Sequence, residues 1–142
     1  MNTVKLVTVF VEDKPGETAR ITRFLAEAGV NIRWVTIATS DKFGVMKFLV
    51  DRYDGALEAL KKEGLTVSEL PALAVEVKDQ PGALHALAEL LARHSVNVKN
   101  VSGFVANRRA VVLLEPEEFR AAQALLEQHR FRLLTQGELL GL

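Results

Sequence analysis

Apolar and polar positions along the chain follow two alternating rhythms. Val4 to Val11 is rich in β-branched residues and reads as a strand, whereas Ile21, Phe24, Leu25 and Ala28 recur at helical spacing between a Pro15-Gly16 start and a Gly29 stop. Val30 to Thr39 and Gly44 to Val50 read as two further strands, joined by the hairpin-like connection Ser40-Asp41-Lys42-Phe43. Asp54 is placed to cap a second helix carrying Ala56, Leu57 and Leu60, which Gly64 ends, and Leu65 to Val67 makes a short last strand. The predicted order is βαββαβ, and the chain runs through it twice. The second pass has a strand at Leu73 to Val77, a helix with Leu84, Leu87, Ala88 and Leu91, and strands at Val96 to Val105 and Ala110 to Leu114. A helix from Pro116 with Phe119, Ala122 and Leu126 follows, then a strand at Phe131 to Leu134. Pro116 suits a first helical turn, where its missing N–H has no partner to lose.

One displacement relates the two passes. The 66 residues that separate Pro15 from Pro81 carry Asp13-Lys14-Pro15-Gly16 onto Asp79-Gln80-Pro81-Gly82 and Val30-Asn31-Ile32 onto Val96-Asn97-Val98. The same shift maps Val9 and Val11 onto Val75 and Val77, Val35 onto Val101 and Leu60 onto Leu126, an agreement that chance does not supply at one fixed offset. Each copy is long enough to be a small domain of about 70 residues with its own core. The chain therefore divides into domains 1–70 and 71–142, without a Gly/Ser linker at Leu70-Pro71. Each is an α+β, ferredoxin-like unit with helices on one face of an antiparallel sheet. That fold serves many unrelated functions, so function has to be argued from a site.

Two finer patterns bear on the sheets. In the second strand, apolar residues fall at Val30, Ile32, Val35 and Ile37, and in the other copy at Val96, Val98 and Val101. The parity changes at the same place in both, which predicts a β-bulge near Arg33-Trp34 and Lys99-Asn100. In the first strand Val7, Val9 and Val11 face the helices, leaving Leu6, Thr8 and Phe10 on a side that is not polar enough for water. The third strand, with Met46, Phe48 and Val50 alternating with Val45, Lys47 and Leu49, is largely apolar on both faces. Two helices cover only one face, so either the two copies pack sheet to sheet within the chain or a second chain supplies the cover, and the short junction at Leu70-Pro71 favours the second chain. The expected homodimer is tested by charging Phe10 and Phe48.

Composition narrows the function classes. The 142 residues carry 18 acidic against 18 basic side chains, so no uniform positive field holds a phosphate backbone and nucleic acid is not an expected partner. Cysteine is absent, which excludes disulfides, thiol catalysis and thiolate metal sites and makes the cytoplasm the expected compartment. Uncharged apolar stretches reach about eight residues against the roughly 20 of a membrane span, and Met1 to Lys5 lacks the flank and core of a signal peptide. No targeting segment or membrane partner is expected. His85, His94 and His129 show neither metal-ligand pairing nor a companion carboxylate, and no Walker loop, Gly-x-Gly-x-x-Gly or Gly-x-Ser-x-Gly occurs. Neither a metal nor a cofactor is expected. Arg108-Arg109 reads as solvated charge at a hairpin tip.

The sharpest local signal is the doubled Asp-x-Pro-Gly where a strand passes into a helix. Pro15 presets φ, Gly16 permits close approach, and the following helix start presents unpaired N–H groups that suit a carboxylate. Asp13 supplies a negative group for an α-ammonium, so the two charges of a free amino acid find partners within one turn of chain. A simple turn with an Asp cap is the alternative reading. Asn31 and Asn97, each set among valine or isoleucine, need partners for their amides, either a ligand or the preceding turn. Helix start and second-strand entrance lie at opposite ends of one helix, so a neighbouring unit is needed to bring the two motifs together.

A βαββαβ order with Asp-x-Pro-Gly before the first helix and Gly-Val-Asn-Ile after it resembles the ACT domain, a small regulatory module that binds amino acids, and both copies match. The resemblance implies a ligand held between two domains, by the first loop of one and the second-strand entrance of its neighbour. The binding positions it implies are Asp13, Lys14, Pro15, Gly16 and Glu17 with Asn31 and Ile32, and Asp79, Gln80, Pro81, Gly82 and Ala83 with Asn97 and Val98. Ser95 departs from the pattern where the first copy has Gly29, and the pairs Lys14/Gln80 and Glu17/Ala83 differ, so the two sites need not bind equally. The expected function is a free-standing regulatory pair, not an enzyme, that binds an amino acid and signals occupancy to a protein partner. The alternative is a structural interaction subunit with no metabolite; a small hydrolase would need a base or nucleophile that the sequence does not offer.

Overall fold

Residues 3–142 are described by the structure, a computed structural model. They fall into two units, Lys5–Leu70, and Pro71–Leu142 together with Thr3 and Val4. The first unit is built from β1 (Val4–Glu12), α1 (Glu17–Glu27), β2 (Ile32–Ser40), β3 (Phe43–Val50), α2 (Tyr53–Lys62) and the start of β4 (Thr66–Val77). Its strand order is β2-β3-β1-β4, with Val9 and Ile37 both opposite Met46 in antiparallel ladders. Val7, Val9, Val11, Met46 and Phe48 on one sheet face bury Ile21 and Leu25 of α1 and Ala56 and Leu60 of α2. Each such large aliphatic side chain contributes about 1.5 to 3 kcal/mol by leaving water.

The second unit repeats this plan with β4, α3 (Ala83–Arg93), β5 (Val98–Ala106), β6 (Arg109–Pro116), α4 (Phe119–Gln128) and β7 (Arg132–Leu134), followed by a short α5 (Gln136–Leu140). Its order is β5-β6-β4-β7. Leu73, Val75, Val112 and Leu114 meet Leu87, Leu90 and Leu91 of α3 and Ala122, Leu125 and Leu126 of α4. Both units are thus ferredoxin-like, with antiparallel sheets and helices on one face. The two bulges stand where the parity change puts them, as register shifts between Ile32 and Trp34 and between Val98 and Asn100. Among the described residues no helix is long and apolar enough to cross a membrane.

Several elements differ from the sequence reading. Thr66–Val67 and Leu73–Val77 belong to one 12-residue strand, β4, and Leu65 precedes it; Pro71 is exposed and outside the ladders that Leu73–Val77 makes with β6 and Ala74–Glu76 with β7. Pro116 closes β6 opposite Val98, and α4 starts at Phe119, because a proline ends a strand as readily as it begins a helix. Asp54 sits in the first turn of α2, with Arg52 at the cap position. In α3 the core stripe includes Leu90 and leaves Ala88 and the 53%-exposed Leu84 outside. The helix α5, which the apolar pattern did not reveal, starts at Thr135, whose side chain accepts a hydrogen bond from the Glu138 N–H at 3.1 Å.

The face away from the helices also departs from expectation. Leu6, Thr8 and Leu49 in one unit and Ala72, Ala74, Val111 and Leu113 in the other are buried. Phe48, opposite Val7, belongs to the helix-facing core. Phe10 and Phe43, 50% and 68% exposed, are the large apolar side chains left bare near the end of β1.

Candidate functional site

The Asp-x-Pro-Gly loop has the same backbone in both units. Lys14 N–H bonds to the Glu12 carbonyl (3.1 Å) as Gln80 N–H does to Lys78 (2.9 Å), and Arg20 N–H reaches the Gly16 carbonyl (2.9 Å) as Ala86 N–H reaches Gly82 (3.0 Å). Gly16 and Gly82 precede their helices at φ 92° and 87°, a conformation glycine adopts without strain. A Cβ would meet nothing within 4 Å at either, so the demand for glycine there is conformational.

Beside each loop lies a cleft. The first, about 520 Å³, runs from the loop to the β2–β3 hairpin and the α2–β4 connection. Phe10, Val11, Phe43, Val45 and Leu65 form its apolar wall, and Glu12, Lys14, Glu17 and Arg20 its polar one. The Arg20 guanidinium donates from Nε and Nη2 to the two oxygens of Glu17 at 3.0 and 3.1 Å. Glu17 is buried although charged, and the Arg20 hydrogen bonds hold its carboxyl below the usual carboxylate range against the opposing effect of desolvation. Lys14 pairs with Glu12 at 3.3 Å. The four charges thus neutralise one another in fixed pairs.

The second cleft, about 440 Å³, is the counterpart under the 66-residue shift. Glu76, Lys78, Gln80, Ala83, Ala86, Arg130 and Arg132 line it where the first has Phe10, Glu12, Lys14, Glu17, Arg20, Gly64 and Thr66. Glu76 accepts two bonds from Arg109, at 2.6 and 2.9 Å, and pairs with Arg132 at 3.2 Å. Arg109 is therefore committed to a carboxylate while still partly exposed. Its hydrogen bonds lower the Glu76 pKa, again against desolvation.

The remaining sequence-predicted positions lie elsewhere. Asp13 and Asp79 are exposed and outside the cleft linings, whereas Lys14, Glu17, Gln80, Pro81, Gly82 and Ala83 line them. Asn31 and Asn97 are exposed and tied to the chain ahead of α2 and α4. Asn31 N–H bonds to Asp51 Oδ1 (2.9 Å), and the Asn97 amide donates to Glu117 Oε2 (3.2 Å). Neither asparagine, nor Ile32 or Val98, reaches the cleft of its own unit; Val98 instead lines an apolar groove with Leu84, Ala88 and Val101. The sequence reading missed Arg20, Phe43, Arg130 and Arg132. The i, i+3 spacing of Glu17 and Arg20 was the available signal for the first. His85 does have a carboxylate neighbour, Glu89, at 3.6 Å across one helical turn.

Two βαββαβ units in one chain, each with a cleft beside the glycine-started helix, define a tandem pair of ferredoxin-like modules. The chain belongs to the ACT domain pair family, whose profile matches residues 2–141. It is similar to an aspartokinase of Corynebacterium glutamicum, 30% identical over 140 residues that cover 87% of this chain and 33% of that one. The chain therefore spans about a third of that relative's length. Among solved structures it is similar to a protein from Bacteroides thetaiotaomicron, with a TM-score of 0.91, 26% identity and all of both chains covered. It shares its fold with the ligand-free regulatory subunit of aspartate kinase from Thermus thermophilus, at a TM-score of 0.58 and 20% identity over 87% of this chain and 91% of that one.

Proposed function

We propose that this ACT domain pair is a non-catalytic cytoplasmic regulator that binds a small amino acid and signals occupancy to a protein partner. The observation that carries the reading is the first cleft, whose apolar wall and internally neutralised polar wall suit a ligand with no net charge. The ligand carboxylate takes the N–H groups at the start of α1, and its ammonium takes Asp13, with Lys14 to Glu17 shaping the loop. Asn31 and Ile32 join the site from a second copy of the chain, which makes the active form a homodimer. Asp79 to Ala83 with Asn97 and Val98 form the corresponding site of the second unit, which need not take the same ligand. Similarity to an aspartokinase supports an enzyme as the kind of partner.

Titration calorimetry against the standard amino acids tests this reading. One of them is expected to give saturable heat, and Asp13→Ala to weaken it by about 1.5 to 3 kcal/mol, tenfold or more in Kd. Absence of heat from all of them contradicts it. That result favours a purely structural interaction subunit, a reading to which the exposed groove of Leu84, Ala88, Val98 and Val101 lends itself.

A further inference from the structure

The two clefts share a backbone but not a charge. In the first, two carboxylates and two cations pair with each other. In the second, Lys78, Arg130 and Arg132 share the lining with one carboxylate, Glu76, which Arg109 engages through both oxygens from outside the lining, and Arg132 pairs with Glu76 at 3.2 Å and with Glu138 at 3.3 Å. The substitutions between the copies act both ways: Glu12 to Lys78, Glu17 to Ala83, Gly64 to Arg130 and Thr66 to Arg132 make the lining more positive, Phe10 to Glu76, Lys14 to Gln80 and Arg20 to Ala86 make it more negative, and the first set outweighs the second. Lys78 and Arg130 have no ion-pair partner among the described residues, and the lining carries an excess of two positive charges.

Arg130 adds a second, independent observation. It stands at φ 62°, the left-handed conformation its counterpart Gly64 adopts at φ 77°. Glycine is the residue favoured there, at the end of a helix, and a side chain bears a cost of about 1 kcal/mol in that region. The chain keeps an arginine where glycine would be more stable, as it keeps Ser95 where the first unit has Gly29, and Arg130 lines the cleft wall. The start of α3 borders the same cleft through Gly82 and Ala83, and a helix N-terminus reinforces the preference for negative charge.

We propose that the cleft of the Pro71–Leu142 unit binds a small dianion, a dicarboxylate or phosphate group, held by Lys78, Arg130 and Arg132, so that the pair senses two ligands of different charge class. The proposal rests on reading these loop-side clefts as ligand sites and gives the second its own ligand class. Succinate and inorganic phosphate, titrated separately into the full chain at low ionic strength, distinguish the two sources of the anion. At least one is expected to bind, with affinity falling as salt is added. Arg130→Gly should weaken it by about tenfold or more, and Arg130→Lys should keep it within about threefold. Arg130→Gly should melt at the same or a higher temperature, so that lost binding is not lost folding. Binding of neither anion, or an affinity unchanged in Arg130→Gly, overturns the proposal. Heat from neutral amino acids reports the first cleft and should not change in Arg130→Gly, so failure of that reading and failure of this one appear in different titrations.

Discussion

Thr8 is buried in the centre of β1 with its hydroxyl unpartnered, while its counterpart in the second unit is Ala74. A buried hydroxyl without a hydrogen bond costs on the order of 1 to 3 kcal/mol, and valine has nearly its shape. Thr8→Val should therefore raise the unfolding free energy by about 1 kcal/mol, and a destabilised variant in urea denaturation would refute the assignment. Glu17 behaves oppositely, since its polar atoms are satisfied by Arg20. Its folded pKa lies below the unfolded value of about 4.3. The resulting stability is present above the unfolded value and lost as pH falls through the folded one. The stability gap between the wild type and Glu17→Gln should accordingly narrow between pH 7 and pH 3; a gap that stays constant contradicts the pairing. Asp13, read from sequence as the ammonium partner, is exposed, whereas Arg20, which fixes the polar wall, was silent because its partner lies only one helical turn away and resembles any surface pair.

At the level of elements, what the sequence revealed depended on whether one physical cause explained the pattern. A parity change in an apolar strand has one cheap explanation, an inserted residue, and both bulges were readable. Proline has several, and Pro116 was misread as a helix start, because strand ends and first helical turns both spare its missing N–H. Arg109 was misread for a different reason: Glu76 lies 33 residues away and only the β4–β6 ladder brings the two together. The turns into α1 and α3 were the most readable of all, since each contains a glycine at positive φ. Gly16→Ala and Gly82→Ala should each cost about 1 kcal/mol with no steric clash. Thermal melts showing no loss in either variant would contradict the turn geometry.

For the whole molecule, the 66-residue repeat exposed the order of elements and the equivalence of the two loops before any coordinates. It could not expose the difference between the clefts, because Gly64, Arg130, Thr66 and Arg132 come from the far end of each unit and join the loop only on folding. Phe10 and Phe43 are the exposed apolar side chains from which self-association is argued. Sedimentation at micromolar concentration should show twice the 15.7 kDa chain mass, and Phe10→Asp should shift it toward the monomer. A wild-type chain that sediments as a monomer contradicts the dimer. The central claim, that an amino acid binds beside α1, is tested most directly by following backbone amide NMR signals while adding the amino acid that gives heat in calorimetry. The account predicts saturable shifts centred on Asp13 to Glu17 and on the cleft wall at Phe43 to Val45. Shifts centred instead on the Leu84–Val101 groove, or none at all, would contradict it.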